Sequence, residues 1–462
     1  MTAPRLSRAV LDQLPPHLGR PAYSPERHGV GVVHLGPGAF HRAHQAAIFD
    51  EVLAGEGGDW RTTAVALRSD RAVRQLGPQD GLYALQVQDG VSRTARVVGS
   101  IAQVLNAATE RERALDALAS PSVHLVTLTV TEKAYAEPSG PDTAVGLLLD
   151  GLERRRASHG APLTLLACDN LRSVGDRLRA RLLEGAAGRS EALARYVEGE
   201  TTCPNGMVDR ITPATAPADL DAFEAEHGLR DEALVRTEPF RQWVLDDRFA
   251  GPRPDLAAAG VQLVADVAPY EAAKLRMLNG AHSLLAYLGL LSGHAYVHQA
   301  IEDPVIGPRV ARYMREEAAP TLPPGSGLDP DRYAADLLRR FRNPGLPHAL
   351  AQIAQDGSEK LSQRLGPVIE GRLAAGRPCQ IALLGLAAWA VWLDRGGDRA
   401  VDPRQEALKA CVDRTAGRAE ALIPALLALD AFDRVPALRR PEVADAVVSE
   451  ARALQSGAAW PK

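Results

Sequence analysis

The sequence has few cysteines. Cys168, Cys203, Cys379 and Cys411 are widely spaced and no two of them form a CxxC pair, which argues against a disulfide frame or a zinc site and fits reduced core thiols in a cytosol. Long apolar runs are also missing. The opening MTAPRLSRAVLDQL has no signal-peptide core, and the longest apolar run, IALLGLAAWAVWL from Ile381, covers 13 residues, too few to span a bilayer. That run is expected as a buried helix. Charge of one sign is not in excess either: the net charge is -4 with acids and bases intermixed, so no nucleic-acid or membrane partner is expected. What is there is 462 residues, 46% of them apolar, enough for two or three domains with sizeable cores. The expected partner is a small metabolite, and the chain is expected as a monomer or a small homo-oligomer.

After a Pro-rich arm to about residue 28, GVGVVHLG is a short β-branched run ending at Gly36-Pro37-Gly38, and AFHRAHQAAIFDEVLA follows with helical periodicity. Strand, glycine turn and helix form a dinucleotide-binding start: Gly36 permits the tight turn, and Gly38 lets backbone amides approach a pyrophosphate. His41 stands where the fingerprint usually has its third glycine, so the motif alone also fits an ordinary strand-to-helix turn. His41 and His44 share a helical face, but no nearby acid or cysteine completes a metal site, and no metal is expected. The strand TTAVALRSD ends at Asp70, placed to accept hydrogen bonds from an adenosine ribose and so to favour NAD; Arg68 and Arg71 beside it are the features that could attract a 2′-phosphate. Alternatively Asp70 caps the next helix. LYALQVQDGVSRTARVVGSIAQVL, from Leu82, alternates like paired strands turning at Asp89-Gly90. VHLVTLTV and LTLLACDN are further strands, delivering Thr131, Glu132 and Asn170 to the carboxyl edge where such sheets bind ligands. Asp209, in PNGMVDRITP, fits either a substrate-facing acid or a buried partner of Arg210. Glu238, Arg241 and Trp243 are further pocket candidates.

The stretch EAAKLRMLNGAHS, from Glu271 to Ser283, concentrates the most chemistry. On an α-helical wheel with Lys274 at zero, Glu271 falls at about 60°, His282 at about 80° and Asn279 at about 140°, all on one arc. The helix runs on into LLAYLGLL and reads as buried. A desolvated lysine loses proton affinity and becomes a usable general base; Asn279 can donate to a developing oxyanion and His282 can orient a hydroxyl. The structural alternative has Lys274 reaching solvent, His282 in the core and Asn279 at a turn.

KLRMLNGAHS resembles the signature of the polyol-specific long-chain dehydrogenases, the mannitol dehydrogenase and fructuronate reductase family. HLGPGAFHRAHQA from His34, TLTVTEKAY from Thr127, CDN from Cys168, PNGMVDRITP from Pro204 and EPFRQWVLDD from Glu238 extend the resemblance along most of the chain. The resemblance implies a metal-independent oxidoreductase using NAD, with Lys274 as base, Asn170 and Asn279 as oxyanion donors, His282 as a positioning group and Asp209 near the substrate. It supports Gly36, Gly38 and Phe40 at the cofactor, strand-end position adds Asp70, Thr131 and Glu132 there, and spacing adds Glu271 as a proton relay. The expected fold is α/β: a Rossmann-like domain with extra strands over 1–268, then a mainly helical domain over 269–462.

Sugar-acid members of the family carry KLPQR after a DGS motif. Here the segment reads Lys360-Leu361-Ser362-Gln363-Arg364. A uronate carboxylate is the natural bidentate partner of a guanidinium, so Lys360 and Arg364 favour D-mannonate and D-fructuronate over D-mannitol and D-fructose. A solvated KxxxR helix face is the alternative, and Ser362 departs from the family's proline. Ala134 and Val174 depart from the usual glycine and asparagine.

Overall fold

Strands form where the sequence concentrates Val, Leu and Thr, residues that suit a buried pleated surface. The computed structural model describes residues 3–130, 133–136, 140–324, 327–396 and 401–456, and the chain divides into two units, Met1–Ala268 and Pro269–Lys462.

The first unit holds β1 (Leu18–Gly19), β2 (Val30–Leu35), β3 (Arg61–Ala66), β4 (Tyr83–Asp89), β5 (Ser92–Val98), β6 (Ile101–Asn106), β7 (Leu125–Leu128), β8 (Leu163–Ala167), β9 (Thr201–Thr202), β10 (Gly206–Asp209), β11 (Val235–Thr237), β12 (Gln242–Asp246) and β13 (Gln262–Val264). Six of them form an all-parallel sheet in the order β6-β3-β2-β7-β8-β9. The chain enters at β2, builds outward through β3 and β6, then returns to lay β7, β8 and β9 on the other side. The order reverses between β2 and β7, and in such sheets ligands bind beyond the carboxyl ends at that point. β3, β7 and β8 are buried at every position, which explains why they lack the in–out alternation of a half-solvated strand.

Two smaller sheets, β1-β5-β4-β11 and β10-β12-β13, complete the unit. The alternating stretch from Leu82 is only partly a hairpin. β4 and β5 pair antiparallel around Gly90, whose φ of +59° supplies the left-handed turn, but Ile101–Asn106 leaves to pair parallel with β3 in the main sheet. The helix after the glycine turn is also interrupted. His44, at φ -116° and ψ -88°, divides it into Ala39–Ala43 and Gln45–Gly55.

In the second unit the run from Ile381 forms the helix Gln380–Gly396, with Ile381 to Val391 buried throughout. It packs against the helix Gly280–Leu291. The approach is close: a Cβ on Gly385 would stand 2.8 Å from both Leu284 and Leu365. All four cysteines are buried and unpaired. Among the described residues, no helix is long and apolar enough to cross a membrane.

Candidate active site

In the first unit the turn after β2 borders a cavity of about 610 Å³. Gly36 sits at φ +91°, and a Cβ there would fall 2.2 Å from the Thr129 carbonyl oxygen, so only glycine fits the turn. Its N–H donates to Val65 O at 2.9 Å, and its own carbonyl accepts from the Thr129 hydroxyl at 2.7 Å. His34 completes this pin: its ring nitrogens lie 2.7 Å from Thr127 Oγ1, 2.9 Å from Thr129 Oγ1 and 3.1 Å from Gly36 O, and burial lowers its pKa to about 3. At Gly38 a Cβ would meet nothing nearer than 3.9 Å. That open side gives a bound molecule access to the main chain.

Gly36, Gly38, Ala39 and Arg42 form the turn side of the cavity, and Ser69, Arg71 and Gln75 line it from beyond β3. Arg42 is buried and donates to the carbonyls of Gly38, at 3.4 Å, and Ala233. A recess of this size, beyond the carboxyl ends of the parallel strands β2 and β3, fits a dinucleotide's adenosine and pyrophosphate.

Several other site candidates are not among the described residues that line this cavity. Asp70 is not at a strand end: β3 stops at Ala66, and the exposed Asp70 carboxylate pairs with Arg74 one helical turn on. It occupies the N-cap position without a side-chain capping bond. Phe40 lies on the short helix with its ring stacked on His44, 5.1 Å between centroids. His41 and His44 have structural surroundings instead of metal-site ones: His41 stacks on His34 at 3.3 Å, and His44 Nε2 lies 2.9 Å from Gln242 O. Thr131 and Glu132 fall outside the described residues.

Asn170 is exposed in the turn after β8. Its neighbour Asp169 anchors that turn, accepting from Val130 N at 3.2 Å and from the Tyr135 hydroxyl. Asp209 is buried at the end of β10 opposite Gln242. Arg210 is occupied elsewhere: its guanidinium donates to the carbonyls of Glu238, at 3.0 and 3.2 Å, and Ala43. The other pocket candidates are architectural. Arg241 grips both carboxylate oxygens of Glu51 at 2.8 Å, Trp243 is core, and Glu238 accepts from Ile211 N at 2.7 Å.

In the second unit the helix carrying the chemistry is not α-helical throughout. Lys274–Asn279 is a π-helical turn between Ala268–Ala273 and Gly280–Leu291. The Gly280 N–H bonds back five residues to Leu275 O. A π turn winds less per residue than an α turn, so Asn279 and His282 fall at smaller angles from Lys274 than an α-helical wheel gives, and the four groups share a narrower arc. Lys274 opens it half-buried, Asn279 closes it buried, and Glu271 precedes it, also buried.

His282, one turn further on, is buried against Phe341 at 4.8 Å and edge-on to His348 at 5.4 Å. Its Nε2 has no hydrogen-bond partner among the described residues. Burial, then the charges of His348, Arg364, Arg340 and Lys274, hold its pKa well below the usual imidazole range, so it is a neutral ring among cations. Arg364, at the end of the helix Gly357–Arg364, donates to Ser283 Oγ at 3.0 Å and Asn279 O at 3.4 Å. The DGS segment before it is fixed by Asp402, which receives Ser358 N at 2.9 Å and the Ser358 hydroxyl at 2.6 Å. Lys360 lies 3.4 Å from Asp356.

The surroundings of His282 include the Arg340 guanidinium and the ring of His348, itself lowered in pKa by burial, which sequence reading passed over. One usable signal was scarcity: of 53 basic residues only five are lysines, and two of those are Lys274 and Lys360.

Residues 30–258 match the family model of the mannitol dehydrogenase Rossmann domain, and 266–455 that of the mannitol dehydrogenase C-terminal domain. The chain belongs to the mannitol dehydrogenase family. The D-mannonate oxidoreductase of Escherichia coli (strain K12) is 37% identical over 396 residues, covering 80% of this chain and 82% of that protein. A mannitol 2-dehydrogenase of Pyrenophora tritici-repentis is 38% identical over 420 residues, covering 83% and 74%. Among solved structures, the Pseudomonas fluorescens mannitol 2-dehydrogenase in ternary complex with NAD and D-mannitol superposes with a TM-score of 0.85 at 35% identity, covering 98% of this chain and 97% of that one. Membership makes this protein an oxidoreductase acting on a secondary alcohol, with a dinucleotide-binding domain of Rossmann type and a mainly helical second domain.

Proposed function

We propose that the protein interconverts D-mannonate and D-fructuronate, an open-chain sugar acid and its keto form, with NAD as the dinucleotide. The class follows from relatives that are sugar-acid and polyol dehydrogenases at similar identity. The observation that carries the choice of a sugar acid is Arg364: its guanidinium is anchored beside Asn279 and Ser283 and contributes to the positive surroundings of His282. A guanidinium is a natural bidentate partner for a carboxylate, a group that a sugar acid carries and a hexitol lacks.

The Gly36 turn, Gly38 and Arg42 are the residues suited to hold the dinucleotide's phosphates, and bound there the nicotinamide supplies the acceptor or donor of hydride. In the oxidation direction Lys274, as the neutral amine, takes the proton of the reacting hydroxyl. The Asn279 amide donates to the oxygen as it gains charge, a contribution of roughly 3 kcal/mol for one well-placed donor. Neutral His282 offers Nε2 to the neighbouring hydroxyl, and Glu271 passes the proton onward. Lys360 assists in binding the substrate. Asn170 as a second amide donor and Asp209 as a substrate-orienting acid are assigned by family motif.

A second reading, oxidation of D-mannitol to D-fructose, is favoured by the equal identity to mannitol 2-dehydrogenases. Initial rates of NADH oxidation with D-fructuronate and D-fructose, each repeated with NADPH, decide between them. A strong fructuronate preference is expected, and removing the guanidinium in Arg364→Ala should raise the fructuronate KM about ten- to a hundredfold, the size of a lost charge-assisted pair. An unchanged KM would remove Arg364 from the substrate.

A further inference from the structure

The π turn that carries Lys274 faces a second one. Tyr313–Ala318 is also π-helical, closed by a bond from Ala319 N–H to Met314 O, and the two turns pack together. π-helical turns are rare, mostly single-turn bulges inside α-helices, and are frequent at functional sites.

Two side chains of the second turn tie it down. Glu317 accepts from Ile381 N and Ala382 N, both at 2.9 Å, and so fixes the turn to the first residues of the buried helix Gln380–Gly396. Tyr313, fully buried, donates its hydroxyl to the Arg276 carbonyl at 2.8 Å. Arg276 lies in the middle of the first π turn. Its carbonyl is the one a regular α-helix would match with the Gly280 N–H, four residues on, and that N–H goes to the carbonyls on either side, Leu275 and Met277, instead. The Tyr313 hydroxyl therefore serves the acceptor that the π register bypasses.

Gly280 makes this possible. A Cβ there would stand 2.2 Å from the Tyr313 hydroxyl oxygen and 3.0 Å from its ring carbon Cζ. Burial keeps the phenol protonated, raising its pKa well above the usual range, so the hydroxyl is a permanent donor.

We propose that Tyr313, through its bond to the Arg276 carbonyl and with Gly280 leaving room for it, is the positioning residue that holds the Lys274–Asn279 turn in its π register and so sets where the lysine amine stands relative to Asn279 and His282. Without it the turn relaxes toward α-helical winding, and Lys274 rotates out of register with the residues that follow. The inference rests on Lys274 being the general base.

The test uses the full-length protein with Tyr313→Phe, which keeps the ring and removes only the hydroxyl. The kcat for alcohol oxidation should fall between about tenfold and a hundredfold, the penalty for a catalytic group misplaced on the ångström scale. The KM for NAD should stay unchanged, and the acidic limb of the pH–rate profile should move to higher pH as the lysine gains solvent. Gly280→Ala should reproduce the loss. Adding Tyr313→Phe to Gly280→Ala should recover part of it, because the oxygen that the new methyl meets is gone; two unrelated structural lesions would instead add. A Tyr313→Phe enzyme with wild-type kcat and pH profile overturns the proposal, as does strict additivity in the double variant. If Lys274→Ala retains activity, it is the base assignment that fails; a dead Lys274→Ala beside a fully active Tyr313→Phe defeats the positioning role alone.

Discussion

The two units build their sites from different material. In the first, the recess is shaped by main chain: a glycine held at positive φ, a second glycine with open space beside it, and carbonyls tied by buried hydroxyl and histidine groups. In the second, the proposed working groups are side chains set on one helix by an irregular turn, with Arg364 and Arg340 near His282. A main-chain site tolerates many side chains but no Cβ at the turn. A side-chain site tolerates small backbone changes only where the register of the turn survives.

Three experiments press on that contrast. The largest effect is expected at Lys274, the proposed general base: Lys274→Ala should lower kcat by about a thousandfold, within the range for a lost general base, with NAD binding by calorimetry nearly unchanged. Equal loss of both would mean that the two sites are not built independently. Next comes Gly36→Ala, a single methyl with no chemistry of its own. A Cβ 2.2 Å from Thr129 O, at a φ of +91°, should destabilise the fold by about 3 kcal/mol and weaken NAD binding at least as much as it lowers kcat; a variant of normal melting temperature and affinity would show that the turn has slack.

The smallest effect is on acid stability. His34 and His44 are buried with pKa values lowered to about 3 by desolvation. Both forms of the chain hold them neutral above the unfolded value of about 6.5, and below it the unfolded chain takes up protons that the folded one refuses. Stability is therefore lost as pH falls from 6.5 toward 3. At pH 5.5 the loss should be about 1.4 kcal/mol for each histidine, read as a lower denaturation midpoint in urea; His44→Gln should lose less on acidification than wild type.

Much of the first unit was legible because glycine spacing and apolar runs report backbone geometry directly. Gly36 and Gly38 were read as the turn and stand at the cavity. Asp70 was read at the end of its strand, but β3 stops four residues earlier at Ala66, and the Asp70 carboxylate pairs with its helix neighbour Arg74. The break at His44 has no proline or glycine to announce it. In the second unit the identities of Lys274, Asn279 and His282 were visible, but their geometry was not: a wheel drawn at α-helical pitch assumes the winding that the Tyr313–Arg276 bond and the bond from Gly280 to Leu275 replace. Arg340 and His348 reach His282 from other segments, a tertiary fact that local pattern does not carry.

The scarcity of lysine has a practical side. With 53 basic residues of which only five are lysines, the molecule keeps nearly all of its positive charge as guanidinium and holds very few primary amines. Lysine-selective isotope labelling would thus give a spectrum of five side-chain amine signals, two of them Lys274 and Lys360, and the protonation of the catalytic region could be followed by magnetic resonance against almost no background.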